Sequence, residues 1–311
     1  MICAFRRPVC AAGRCANGTG FAWSFRATGR SPWPWAAGRT RTAQPAPEDP
    51  DQPEQRSTDI AANSSSATVE IQELTVHYQP QFALLDGRLV GFEGLLRWQD
   101  PSGELVLPSD FLNELKHGGM LRAATLDVID RMTGQIEDWR ERLPHEAGIG
   151  VNIPAAILAD QSLLKDLRRL GRERPDIARH LVIEVSERST SIELSNACAE
   201  HRRLCGDRIR LALDDVGTGP RSGELIRSLP VDIAKLDNSI VAGLPGNRRC
   251  AAVARAVIAV SHDHGMQVAA VGIEHDNQRD FLAELGCDIG QGFHFAPVEP
   301  PTRASRWLPD R

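Results

Sequence analysis

No stretch of the 311 residues approaches the roughly 18 consecutive apolar residues that a membrane-spanning helix needs. A secretory signal is missing too, because Arg6, Arg7, Arg14 and Arg26 interrupt every early apolar run before a hydrophobic region can form. Charge of one sign is not in excess. The formal net charge of -5 is mild and mixed along the chain, which excludes a surface built to coat nucleic acid. The seven cysteines are scattered, and none lies at the close intervals of a zinc site. These absences predict a cytoplasmic protein with reduced thiols, in contact with neither a membrane nor a nucleic-acid polymer. What remains is ordinary globular material, with 41% hydrophobic and 25% charged residues.

Residues 1–67 differ from all that follows. Arg, Gly, Pro, Ser and Ala dominate, Trp23, Trp33 and Trp35 occur without aliphatic periodicity, and the run PAPEDPDQPEQRSTD leads into SSS. Such a composition buries too little apolar surface to offset chain entropy. A disordered, low-complexity leader is therefore expected over 1–67 and a folded domain over 68–311. Trp beside Arg could touch a membrane surface or a partner, but no helical face collects these residues.

From Ile71 on, strand and helix signals alternate. Strand-like runs are LTVHYQ (74–79), RLVGFEGLLRW (88–98), GIGVNI (148–153), LVIEVS (181–186), IRLALDD (209–215), DIAKLD (232–237) and QVAAVGI (267–273). Between them, Ile129, Met132, Ile136, Trp139 and Leu143 recur at three and four residues, as do Ala254, Val257, Ile258 and Ser261 before a stop at Gly265. Strands alternating with helices imply a parallel sheet. Some 230 residues with this many units suit a closed barrel of the TIM type better than an open sheet.

Acids and amides recur near the ends of these apolar runs: Glu93, Asn152, Glu184, Asp214 with Asp215, and then Lys235. All strand C-termini of a parallel barrel open on one face, so residues distant in sequence converge there. One such acid alone would more often be a helix N-cap. Several at successive strand ends, set inside apolar runs, call for a different explanation, because buried carboxylates without compensation are strongly unfavourable. A hard divalent ion, Mg2+ or Mn2+, answers an oxygen-rich cluster of this kind.

These residues resemble a known family. YQP (78–80), EGLLRW (93–98), VNIP (151–154), EVSE (184–187), LDDVGTG (213–219), LPVDIAKLD (229–237), GIE (272–274) and LGCDIGQGF (285–293) are similar to the motifs of EAL domains, phosphodiesterases that open cyclic-di-GMP to linear pGpG. The resemblance covers residues 74–300 and implies a single α/β barrel of the EAL type. It implies that Glu93, Asn152, Glu184 and Asp214 form a first metal site and that Asp215 serves a second metal. Lys235 would hold the attacking water, and Glu187 would brace the loop after Asp214. Gln79, Arg97, Glu274 and Gln291 would line the dinucleotide site. Two metals about 4 Å apart would clamp the phosphodiester for in-line displacement. The resemblance also brings a homodimer and a protein partner into view.

The chain departs from that pattern at one decisive place. Ala270-Val271-Gly272-Ile273-Glu274 stands where the family reads Ala-Glu-Gly-Val-Glu, so Val271 replaces a glutamate that serves the second metal and the water. Valine has no lone pair to take a proton or bind a metal. Further departures are Val216 for Phe, Pro220-Arg221-Ser222-Gly223 for Tyr-Ser-Ser-Leu, Gly94 for Ala, Gln81 for an aliphatic residue, and Phe295-Ala296-Pro297-Val298 on the far rim. No cyclase half of GGDEF type is recognisable, so control is expected from expression, the leader or a partner.

Three functions follow: a cyclic-di-GMP receptor with weak or lost hydrolysis, an active phosphodiesterase, or an interaction module without ligand. The retained acids argue against the last, and Val271 favours the first, with a slow enzyme close behind. Deleting residues 1–67 is expected to leave the melting temperature of the domain unchanged; a large drop in a thermal scan would show that the leader packs on the barrel.

Overall fold

The alternating signals close into a ring of eight strands. The computed structural model describes residues 73–99 and 104–310, so the expected leader lies outside the described residues. In chain order come β1 (Leu74–Ala83), β2 (Leu89–Gln99), β3 (Leu105–Val106), α1 (Pro108–His117), α2 (Leu121–Trp139) and β4 (Gly148–Asn152). Next are α3 (Ala155–Leu158), α4 (Gln161–Glu173), α5 (Pro175–Ala178), β5 (Leu181–Ser186), α6 (Ser191–Cys205), β6 (Arg210–Val216) and α7 (Ser222–Ser228). The chain continues through β7 (Ile233–Leu236), α8 (Asn238–Ala242), α9 (Arg248–Asp263), β8 (Gln267–Val271), α10 (Asp276–Glu284), β9 (Ile289–Gln291) and α11 (Pro301–Ala304).

Strands β2, β4, β5, β6, β7, β8 and β9 run parallel, and β1 closes the ring between β2 and β9. Within the expected parallel sheet, β1 is the exception, antiparallel to both neighbours. Its link to β2 is the reason. Ala83 N–H donates to Arg88 O at 2.9 Å and Gly87, at φ 74, turns the chain. A connection that short can make only a hairpin, since a parallel crossover needs a dozen residues or more. β3 is a two-residue flap antiparallel to β2 outside the ring. The eighth ring strand, β9, has three residues and lies within LGCDIGQGF, too short to show a period.

Side chains alternate between the ring's interior and its helical coat. Inside, Val182, Ala212, Ile233, Ala269 and Ile289 pack into one apolar layer. Two residues further along β5 to β9 stand Glu184, Asp214, Lys235, Val271 and Gln291, the next inward layer toward the strand C-termini. Outside, the expected face of α2 is buried, and Trp139 packs edge-on to Tyr78 (5.0 Å) and tilted against Phe92 (4.8 Å). Leu143 is buried in the turn beyond that helix. On α9, Ala254, Val257, Ile258 and Ser261 form the buried stripe that their spacing predicts.

Among the described cysteines, Cys198, Cys205 and Cys287 are buried free thiols and Cys250 is a half-buried one. Burial pushes Cys198 and Cys205 up to about 11 and Cys287 to about 12, which keeps these thiols protonated and inert. No helix among the described residues is long and apolar enough to cross a membrane.

Helix α6 carries an unusual group. Its neighbour side chain Arg202 ties the helix to the start of β7, with Nη2 donating to Asp232 Oδ1 at 2.9 Å and to Pro230 O at 2.8 Å. His201, one residue earlier, is fully buried and neither ring nitrogen has a hydrogen-bond partner. Burial, assisted by Arg202, lowers its pKa to about 4. A folded pKa below the unfolded value near 6.5 favours the neutral ring, so this contribution is intact above pH 6.5 and is lost as pH falls from there toward 4. Urea titrations should show a loss on the order of 3 kcal/mol over that window, and His201→Leu should flatten it. Equal pH slopes for the two proteins would refute the assignment.

Candidate functional site

Seven strand ends supply the mouth of the barrel. Glu93 on β2 and Glu184 on β5 are almost completely buried, and Asp214 on β6 is partly exposed. One oxygen from each lies within 4.8 Å of the others. Gly150 on β4 permits this approach, because a Cβ there would sit 2.1 Å from Glu184 Oε1. Lys235 rises from β7 into the middle, with 2% exposure. Its Nζ pairs with Glu184 Oε2, lies 3.1 Å from Glu93 Oε2 and 3.7 Å from Asp214 Oδ2.

The charges govern one another. Burial alone would lower the Lys235 ammonium, but Asp214, Glu184 and Glu93 hold it well above the ordinary lysine range. Burial raises Glu184, and the neighbouring Glu93 and Asp214 raise it further against Lys235. Burial likewise raises Asp214. Glu93 goes the other way: burial works to raise it, yet Lys235 and the donors Gln291 and Asn152 prevail and lower it. Three carboxylates around one ammonium leave negative charge in excess in a buried place. Oxygen donors with such an excess fit a hard divalent ion; Glu93, Glu184 and Asp214 would hold it, with the Asn152 amide beside them.

Amides fix the cluster from the other side of the ring. Asn152 Nδ2 donates to Glu93 Oε1 at 2.9 Å, and Gln291 Nε2 donates to Glu93 Oε2 at 2.7 Å and to Gln79 Oε1 at 2.9 Å. Gln79 Nε2 in turn donates to Ala296 O at 3.0 Å. Gln79 and Gln291 are thus buried braces of Glu93 in this structure. Gln81, noted in the sequence only as an exchange, extends the network by donating to Gln291 Oε1 at 2.8 Å. Its parity with Gln79 along β1 was the available signal.

Arg97, near the end of β2, is half-buried, and burial lowers its pKa against the pull of Glu93. Its Nη1 donates to Leu96 O at 2.7 Å, and among the described residues it makes no ion pair. Glu187 Oε1 accepts from Thr218 N at 3.1 Å, Thr218 Oγ1 at 3.0 Å and Gly219 N at 2.7 Å, which braces the loop after β6. Ser222 closes that loop despite its altered sequence, accepting from Gly217 N at 3.1 Å and donating to Gly219 O at 2.9 Å. Gly94 is less neutral than its size suggests, since an alanine Cβ would lie 2.8 Å from Met132 Cε.

Two expected residues stand apart from the acidic cluster. Asp215 has φ 60, a backbone conformation uncommon outside glycine, and its carboxylate accepts from Ser186 Oγ rather than joining Glu93, Glu184 and Asp214. Glu274 is exposed, beyond Gly272, and its backbone N–H donates to Gln278 Oε1 at 2.8 Å. Val271, at the end of β8, pairs with Gln291 on β9, so an aliphatic side chain lies in the polar layer. Ser186, Arg188 and Asp237 were not singled out by sequence reasoning; Arg188 and Asp237 look like ordinary loop and cap residues there.

The sequence pattern that defines the EAL domain matches residues 62–298. The cyclic di-GMP phosphodiesterase PdeR of Escherichia coli is 30% identical over 241 residues, which are 77% of this chain and 36% of PdeR. The bifunctional diguanylate cyclase/cyclic di-GMP phosphodiesterase MucR of Pseudomonas aeruginosa is 28% identical over 225 residues, 72% of this chain and 33% of MucR. The chain therefore spans about a third of the length of these relatives. Among solved structures, a MucR phosphodiesterase in complex with c-di-GMP superposes with TM-score 0.69 at 26% identity, covering 77% of this chain and 97% of that one. An EAL domain protein of Listeria monocytogenes gives 0.68 at 26%, covering 79% and 97%.

Lys235→Met would leave the buried Glu93 and Glu184, and Asp214 beside them, without their cation. Removing one partner of a buried ion pair costs about 3–5 kcal/mol, so the variant should melt well below the natural protein in chelator. Added Mg2+ or Mn2+ should restore more stability to the variant than to the natural protein. No difference in cation response would count against the carboxylates as an ion site.

Proposed function

The chain belongs to the EAL-domain family, and we propose that it acts there as a cyclic-di-GMP receptor whose hydrolysis to pGpG is weak or lost. The observation that carries this reading is the contrast within one layer of the barrel. Glu93, Glu184, Asp214 and Lys235 converge, while Val271 faces the same mouth without a donor atom. Oxygen ligands for an ion stand together in this layer, and Val271 contributes none.

The ion favoured for this donor set is Mg2+ or Mn2+, held by Glu93, Asn152, Glu184 and Asp214. When bound, it supplies Lewis-acid polarisation of a phosphodiester and a more acidic water. Arg97 offers a forked donor to a phosphate oxygen. Lys235 keeps its proton and stabilises negative charge near the cluster. Gln79 and Gln291 hold Glu93 in place, and Glu187 holds the loop after Asp215. Val271 has no lone pair, and general-base assistance is worth roughly 10²–10⁴ in rate. The names of PdeR and MucR, and the dinucleotide in the MucR complex, support the ligand class.

A ligand that is bound and not consumed acts by favouring one state of its holder. The output then passes to a second copy of the chain, through the loop after β6, or to another protein. The names of the relatives also favour a second reading, an active phosphodiesterase. A ligand-free module is the weakest reading, because three acids around one lysine, kept without a metal ion, leave uncompensated charge that burdens the fold.

Calorimetry with Mg2+ or Ca2+ present should give heat on adding cyclic-di-GMP, and Arg97→Ala should weaken binding about tenfold or more, the loss of one charge-assisted contact. No heat at high micromolar dinucleotide would rule out the receptor. Chromatography should show that Val271→Glu raises pGpG formation. Natural protein that turns over at a normal rate, unaffected by the substitution, would decide for the enzyme.

A further inference from the structure

We infer that this barrel takes a single divalent ion, because the guanidinium of Arg188 holds the place of a second cation between Asp215 and Asp237. This deepens the receptor reading of the same site and rests on it.

The acids at the mouth fall into two groups. One is the set of Glu93, Glu184 and Asp214 around Lys235. The other is Asp215 with Asp237, and a different cation serves it. Arg188 Nε lies 3.5 Å from Asp215 Oδ2, and Arg188 Nη2 donates to Asp237 Oδ2 at 3.2 Å. Ser186 Oγ donates to the same Asp215 oxygen. Asp237 is buried at 7% exposure, and its other oxygen caps α8 by accepting from Ser239 N at 2.8 Å. Both oxygens of Asp237 and one oxygen of Asp215 are therefore engaged before any ion arrives.

Asp215 is also turned away from the first group. Its backbone at φ 60 directs the side chain toward Ser186 and Arg188, while its own N–H donates to Asp214 Oδ1 at 2.9 Å. A second ion beside Asp215 would need a further donor from the neighbouring strands. Val271 is the inward residue at the end of β8 and has none. Such an ion would also meet the guanidinium as a like-charged neighbour.

The exchange of an ion for a guanidinium has a chemical consequence. Arg188 neutralises charge and donates hydrogen bonds, but it is an obligate donor that never gives up its proton at working pH. It cannot bind a water and acidify it as a metal does. The site thereby keeps the charge balance of a two-cation mouth with only one centre able to polarise a ligand. The side chain of Arg188 is 65% exposed, so the contrary picture is a loose arm that swings aside when a second ion binds.

Counting Mn2+ on the full chain separates the two, with Mn2+ alone as the probe and no dinucleotide present. Calorimetry and electron paramagnetic resonance should find one Mn2+ per chain and no spin-coupled pair. Arg188→Gln combined with Val271→Glu should raise the count to two and bring in the coupled signal; Arg188→Lys combined with Val271→Glu, which keeps the charge, should stay at one. Two ions on the natural protein would overturn the inference, as would none. A folded Gln–Glu variant that still takes one ion would overturn it too. If that variant does not fold, the count on the natural protein decides by itself. Absence of cyclic-di-GMP binding would sink the receptor reading while leaving the Mn2+ count unchanged, so the two failures are distinct.

Discussion

One ammonium group inside a ring of acids sets the terms for the rest of this molecule. Lys235 is the only cation within ion-pair reach of Glu93, Glu184 and Asp214 among the described residues, and it must be held at the ends of four strands at once. Buried charge is tolerated only when every member is paired and hydrogen-bonded. The amides of Asn152, Gln79 and Gln291, the glycine that lets Glu184 lie over β4, and the parallel register of β5 to β7 all serve that condition. The same condition makes the cluster receptive: acids that one lysine does not fully neutralise have a standing affinity for a further positive charge.

The layer below shows how the barrel separates its tasks. Val182, Ala212, Ile233, Ala269 and Ile289 fill the interior with apolar contact, and the polar residues begin one inward position later. Stability is concentrated toward the N-terminal ends of the strands and chemistry toward their C-terminal ends, as the common opening of parallel strands requires. Val271 sits at the boundary of the two layers, where its aliphatic side chain extends the apolar layer upward by one residue.

Much of this was legible in the sequence because two patterns speak clearly. Short apolar runs marked seven of the eight ring strands, and the three-to-four spacing of Met132, Ile136 and Trp139 marked the face of α2. Glu93, Asn152, Glu184, Asp214 and Lys235 stood out because acids, amides and a lysine are out of place in apolar runs. The missing parts have physical causes. β9 has three residues, fewer than one readable repeat. The reversal of β1 depends on a tight turn whose direction no hydrophobic pattern records. Gln291 bonds to both Glu93 and Gln79, links across the ring that no strand pattern records. Arg188 escaped notice because its role depends on Asp215 and Asp237, one 27 residues away and the other 49, so that only folding makes the three neighbours.

The hydrogen bond between Gln79 and Gln291 joins the first ring strand to the last, across 212 residues of chain. During synthesis, then, the pocket cannot exist until nearly the whole barrel has left the ribosome. Partial chains expose acids with no lysine or amide to answer them, and contacts this distant in sequence form slowly. The cluster appears late and all at once, so an incomplete molecule carries no weakened version of it.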